Sequence, residues 1–251
     1  VQTIKNSDLQ HRVIFDSAPD GIVILDTNGK VIDCNFGETL ITGYTREEIL
    51  TNSTGFYLLK KYKEYFRKRF PYLHEKEGLD IEVEIKHKDG QIVPVWCKVR
   101  TIRDVSGRYS GIVIYNRNIA NRKRAEKTQQ VMLRIASAAS RVMDDLDFFK
   151  LLKTELNQLI DTSNFFVGLY EEETKTLTSL IKKDDNFIIP IEGTIVGYII
   201  QFQQSLLLKG DEIGKFIELN ELKKIEKISK CWLGAPFVLD GQVVGVLAVH
   251  N

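Results

Sequence analysis

Short blocks of apolar residues, each closed by a turn signal, open the chain. Residues 22–25 are continuously apolar and read as a strand, and residues 30–35 read as its return. Between them Asn28-Gly29 predicts a two-residue hairpin turn with positive φ at both positions. A leading helix is expected over residues 7–18, with Leu9, Val13 and Ile14 on one face. Two short helices are expected at 38–43 and 45–50, the second opened by a Thr45/Glu48 capping box. Residues 60–77 read as an amphipathic helix with Tyr62, Tyr65, Phe66 and Leu73 inward, kinked or ended by Pro71. From Asp80 the period falls to two. Ile81, Val83 and Ile85 alternate with charged residues, Asp89-Gly90 predicts a turn, and Val93, Val95, Cys97 and Val99 share a face of the return strand. Pro94 and Trp96 face the other way, and Pro94 favours an edge or bulge. A last strand is expected at 111–116.

Residues 118–142 contain neither Gly nor Pro and read as one helix, with Asn118 as N-cap. Ala125, Met132 and Ala139 recur at seven residues, with Thr128, Ile135 and Val142 three residues after each. That is an a/d heptad pattern over about three repeats. A further helix carries Phe149, Leu152, Leu156 and Leu159. Strands follow at 165–170, 176–182 and 206–208, a helix at 193–203, and a final hairpin at 232–250 across Asp240-Gly241. Residues 221–230 leave helix and loop both open. The expected fold class is α+β. Two domains, each an antiparallel sheet flanked by helices, are joined by a long helix. The boundaries read as 7–118, a helical coiled-coil linker at 119–143, and 130–251, with the linker merging into the second domain's first helix.

A length of 251 residues and 43% hydrophobic content suit two cores. A net charge of +1 gives no global field toward nucleic acid or membrane. Cys34, Cys97 and Cys231 form neither a C-x-x-C pair nor a disulfide framework, which suggests a reducing cytoplasm. No apolar run approaches the ~18 residues of a membrane span. The chain starts at Val1, so a piece of a longer protein is expected.

Ser17-Ala18-Pro19-Asp20-Gly21 with the Asn28-Gly29 turn and Gly43-Tyr44-Thr45-Arg46-Glu47-Glu48-Ile49-Leu50 resembles the start of a PAS domain, a sensory module. The resemblance extends over residues 7–118. Asn116-Arg117-Asn118-Ile119-Ala120 is similar to the exit segment of such domains, with Asn118 where an Asp usually stands. Residues 130–251 resemble a GAF domain, chiefly in Cys231-Trp232-Leu233-Gly234-Ala235-Pro236-Phe237 and Gly241-Gln242-Val243-Val244-Gly245. The closing helix of that family is missing, so this domain is expected to be C-terminally truncated.

No catalytic constellation stands out. His11, His74, His87 and His250 form no metal-binding spacing, and no nucleotide-binding loop occurs. Flavin photoreceptors of the PAS family carry a cysteine where this chain has Ser53-Thr54-Gly55-Phe56, which speaks against a flavin adduct. His74 is the one candidate for an axial haem ligand, and an exposed histidine is the simpler reading. The bilin-binding motif of phytochromes and the cyclic-nucleotide signature of GAF domains are both missing. Cys231 has no partner cysteine in its domain and reads as a small buried residue. By analogy, Ile24, Asn35, Phe56, Trp96 and Ile114 would line a PAS pocket, and Phe166, Tyr170, Tyr198 and Trp232 a GAF pocket; core filling is the competing reading. The basic run Lys60, Lys61, Lys63, Arg67, Lys68 and Arg69 reads as a solvated helix face.

These observations predict a sensory input module of a larger protein, without catalysis of its own. Its cofactor is not identifiable. Partners are expected to be a second copy and an unidentified small molecule, with no nucleic acid and no membrane contact. Asn118, Ile119, Ala125, Met132, Ile135 and Ala139 would relay the signal along a dimeric helix. The parent reads as a two-component sensor histidine kinase, or alternatively a diguanylate cyclase. A GAF-fold small-molecule enzyme and a purely structural dimerisation module are the alternatives of other classes.

Overall fold

A computed structural model describes residues 2–69, 72, 78–140, 145–180, 188–223 and 230–250. Contacts divide the chain into two compact units, residues 1–125 and 126–251.

In the first unit, α1 (Gln2–Ser17) precedes β1 (Gly21–Leu25) and β2 (Val31–Cys34). Then come α2 (Phe36–Thr42), α3 (Arg46–Thr51), α4 (Lys60–Arg69), β3 (Gly78–Lys86), β4 (Ile92–Arg103) and β5 (Tyr109–Asn118). The five strands form one antiparallel sheet in the order β2-β1-β5-β4-β3. Val23 and Leu25, Val83 and Ile85, Val95, Cys97 and Val99, and Ile112 are buried on one face. Tyr44, Phe56, Tyr62 and Phe66 pack against this cluster. Leu9, Val13 and Ile14 do share the expected helix, and they are exposed. Pro71, Leu73 and His74 lie outside the described residues.

The turns differ from expectation in an instructive way. At Asn28-Gly29 only Gly29 has positive φ. The Gly29 amide donates to the Asp26 carbonyl, while the Asp26 carboxylate accepts from the amides of Asn28 and Lys30. The side chain of Asp26 thus builds the turn, and a longer loop replaces the two-residue one. Gly90 and Gly107 close their loops in the same way, against the carbonyls of His87 and Asp104. Pro94 sits in an interior strand, but beyond the end of β5: pairing with β5 begins at Val95↔Asn118. A missing N–H costs nothing there.

Helix α5 (Ala120–Ala139) crosses the boundary between the units. The second unit continues with α6 (Asp145–Leu156), β6 (Asn164–Glu171), β7 (Thr176–Ser179), β8 (Ile188–Pro190), α7 (Ile195–Phe202), β9 (Leu206–Lys209) and α8 (Asp211–Leu219). The hairpin β10 (Cys231–Leu239) and β11 (Gln242–His250) ends it. Its sheet order is β8-β7-β6-β11-β10-β9. In both sheets the first strand therefore lies beside the last, at the centre. Here Asp240 and Gly241 both take positive φ, and the predicted two-residue turn forms. Sequence reasoning missed α8, where Gly214 interrupts the apolar spacing of Ile213 and Ile217. Most of the open segment 221–230 lies outside the described residues.

One position of the α5 heptads, Ile135, is taken up within the chain itself. Val131 and Ala138 are buried, and Ile135 between them packs against the cluster that includes Phe149, Leu152 and Phe165. Ala125, Met132 and Ala139 are exposed. The core of the second unit takes the flank of the helix that bears Ile135, while Ala125, Met132 and Ala139 stay open on another side. Val142 lies outside the described residues.

Asn35 holds the first unit's start together. Its Oδ1 accepts from the amides of Ile22 (2.7 Å) and Glu38 (3.0 Å), and its Nδ2 donates to the carbonyls of Phe15 (3.0 Å) and Asp20 (2.9 Å). It thereby caps α2 and ties α1, β1 and α2 to one buried point. Asn35→Ala leaves several buried backbone groups unpaired and should cost the first unit about 3 kcal/mol. Urea denaturation followed by circular dichroism would check this; an unchanged first transition would contradict it.

Candidate ligand cavity and signal exit

Strand register decides which side chains face the helical layer. Val23 pairs with Ile114, and Ile114 with Val99; Gly21 pairs with Asn116, and Asn116 with Cys97. Each row lies on one face because side chains alternate along a strand. These rows floor a cavity of about 390 Å³, roofed by Ile49, by residues 53–58 and by Phe66 of α4. Its deep end carries the buried Tyr57, Cys97 and Asn116. Its exposed rim carries Asn28, Ser53, Thr54, Lys63 and Arg67. The volume lies within the usual range for small-molecule sites.

Of the residues expected to line this pocket, Phe56 and Ile114 are on its wall. Ile24, Asn35 and Trp96 are not. Ile24 pairs with Val113 and Trp96 with Arg117, both of the opposite parity, so these side chains belong to the other face. There Trp96 meets the Arg117 guanidinium at 5.8 Å. Asn35 is committed to the backbone, as described above.

Sequence reasoning missed the polar group behind the deep end. Glu38 of α2 is fully buried, and Asn116 Nδ2 donates to both its carboxyl oxygens at 3.0 and 3.1 Å. Glu38 is also hydrogen-bonded to the Tyr57 hydroxyl. A Cβ on Gly21 would lie 2.1 Å from Glu38 Oε2, so only glycine leaves room for this carboxyl group. Burial raises the Glu38 pKa against the opposing effect of its hydrogen bonds from Asn116 and Tyr57. Burial, then the proximity of Glu38, raises Tyr57 well above its ordinary value. Burial likewise pushes the Cys97 thiol up to about 12 and Cys34 to about 11, so neither offers a thiolate at neutral pH. The signal for this cluster was Asn116, a polar residue at the buried parity of a strand otherwise apolar at Ile112 and Ile114. Glu38 itself looks like any solvated helix residue.

The same strand leads out of the domain. Asn118 Oδ1 accepts from the Ala120 amide, and the Ile119 amide donates to the Pro94 carbonyl at 3.0 Å, with Ile119 buried. Asn118 thus closes an Asx turn just ahead of α5, and Ile119, whose carbonyl accepts from the Lys123 amide, holds the cap position expected of Asn118. Charges flank it. Arg117 holds Asp20 through three hydrogen bonds, at 2.7, 2.9 and 3.1 Å. Glu82 of β3 binds Arg122 and Lys123 in the first turns of α5.

In the second unit, Trp232 is buried in the main core, and Phe166 and Tyr170 pack against it. Tyr198 meets Phe202 and Phe216 at ring distances of 4.3 and 4.8 Å. A Cβ on Gly234 would lie 2.5 Å from the Trp232 ring and 2.6 Å from Ile199. The four residues expected around a pocket thus fall into close apolar packing. Cys231 is only half-buried, at the start of β10. Among the described residues, no cluster of His, Cys, Asp or Glu could hold a metal ion. Nor is any described helix long and apolar enough to cross a membrane.

The profile of the PAS domain family matches residues 19–120. This part of the chain is a PAS domain. Solved structures resembling it include the PAS domain of a protein from Colwellia psychrerythraea, at 25% identity and a TM-score of 0.42, covering 45% of this chain and 96% of that one. Another is the PAS domain of an HTR-like protein from Haloarcula marismortui (19%, TM-score 0.43, 47% and 96% covered). A third is a domain of a sensory box sensor histidine kinase/response regulator from Geobacter sulfurreducens (23%, TM-score 0.39, 46% and 96% covered). Comparison with curated proteins found no match.

The raised pKa of Glu38 makes stability pH-dependent in a defined sense. The neutral carboxyl group supports the PAS fold below the ordinary value near 4.5, and this support is lost as pH rises through the raised folded value. Glu38→Gln does not titrate and keeps a group of the same shape. The melting temperature of the variant should therefore gain on the wild type between pH 5 and pH 8. A stability difference between the two that stays the same from pH 5 to pH 8 would contradict this.

Proposed function

We propose that this chain is the tandem PAS–GAF input region of a signalling protein, most simply a cytoplasmic two-component sensor histidine kinase. The observation that carries the reading is the path of β5. Ile112, Ile114 and Asn116 form cavity wall, and two residues later the Asn118 side chain turns the chain into α5 by accepting from the Ala120 amide. A ligand that alters the wall acts directly on the residues that start the helix. Such a helix needs only two nearby packings, and a ligand shifts between them by its differential affinity.

The GAF assignment of the second unit is supported by the β10–β11 hairpin, with its tight Asp240-Gly241 turn and Gly245 in the return strand. Its packed aromatic core favours the PAS cavity as the sensing site. Dimerisation is supported by the apolar residues left exposed on helices, Leu9, Val13 and Ile14 on α1 and Met132 and Leu133 on α5. In the relay, Ala125, Met132 and Ala139 would face the second copy, while Ile135 holds α5 to its own core. The fragment itself senses and transmits, and catalysis lies with the output domain.

Native mass spectrometry of the purified chain tests dimer and ligand together. A dimer, or a small molecule retained with the protein, is expected. A strictly monomeric, ligand-free species at micromolar concentration would overturn the reading.

A further inference from the structure

The PAS cavity is chemically asymmetric. Val23, Val99, Ile112 and Ile114 make its floor apolar, and its deep polar groups are already engaged: Asn116 Nδ2 donates to Glu38, and Tyr57 is bonded to the same carboxyl group. The rim is basic. Lys63 and Arg67 lie one turn apart on α4, with Phe66 beside them on the cavity wall. Lys63 Nζ donates to the Phe56 carbonyl at 2.6 Å, which holds the ammonium at the rim and leaves two of its three N–H groups for another acceptor. Among the described residues, no carboxylate pairs with Lys63 or Arg67. Other basic residues of this unit do have such partners: Lys61 with Glu84, Lys88 with Glu48, and Arg46 with Asp33.

We propose that the cavity binds an amphiphile with an apolar body and a single anionic head, the body lying over the sheet and the head held at the rim by Lys63 and Arg67. This inference rests on the reading of the cavity as a ligand site. Orientation follows from the chemistry at each end. A head group at the deep end would face the buried Glu38 and find the Asn116 amide already donating. At the rim it meets two cations and stays partly hydrated, so its desolvation cost is small. A strongly polar or multiply charged ligand would lose hydration against the apolar floor without replacement.

Calorimetric titration of the full chain with decanoate, 1-decanol and decyltrimethylammonium tests the proposal. Decanoate is expected to bind at least about tenfold tighter than decanol, the cation weakest of the three. The surface variant K63Q/R67Q should bring decanoate down to the affinity of decanol and leave decanol unchanged. Equal binding of decanoate and decanol to the wild type, or decanoate binding indifferent to K63Q/R67Q, would overturn the anionic head while leaving an apolar ligand site in place. Failure of all three probes, with another small molecule retained in native mass spectrometry, would overturn the ligand class and leave the sensory reading standing.

Discussion

A carboxyl group sealed beneath the helical layer is the constraint around which the PAS domain is arranged. Glu38 has no cation partner among the described residues, so its burial is tolerable only while Asn116 and Tyr57 satisfy it. Gly21 must be side-chain free to admit it, and Asn35 must cap α2 so that Glu38 points at the sheet. One polar cluster therefore fixes α2, the loop bearing Tyr57 and the end of β5 relative to each other. A fully apolar arrangement would hold these parts less specifically, since apolar contacts are non-directional.

That arrangement gives the cavity its significance. Two of the three residues in the cluster, Tyr57 and Asn116, are also cavity wall. Movement of the wall therefore strains the bonds that keep a buried carboxyl group satisfied. Asn116 is the last inward residue before the exit, where Ile119 bonds to Pro94 and Glu82 draws on Arg122 and Lys123. The exit ion pairs are exposed and individually weak, which suits a junction that must rearrange.

Much of this fold is written locally. The alternation in residues 81–99, the Thr45/Glu48 box and the Asp240-Gly241 turn each depend on neighbours in sequence, and each formed as read. The Asn28-Gly29 turn did not, because the Asp26 side chain supplied a competing set of hydrogen bonds. The cavity was less legible. Parity alone separates Ile114 on the wall from Trp96 behind the sheet, and the register that sets parity across strands is a tertiary property. Glu38 was invisible because its meaning comes from Asn116, 78 residues away in sequence. The heptads of α5 were real as a pattern, yet the pattern could not say that Ile135 would be claimed by the core of its own chain.

The central claim is that the state of the cavity is felt at the start of α5. Hydrogen exchange over residues 116–123 measures this directly, comparing the wild type with Val99→Phe, which places an aromatic ring in the cavity. The account predicts altered protection at the Ile119 and Lys123 amides, which bond to Pro94 and Ile119. Altered exchange confined to the cavity wall, with residues 118–123 unchanged, would contradict it.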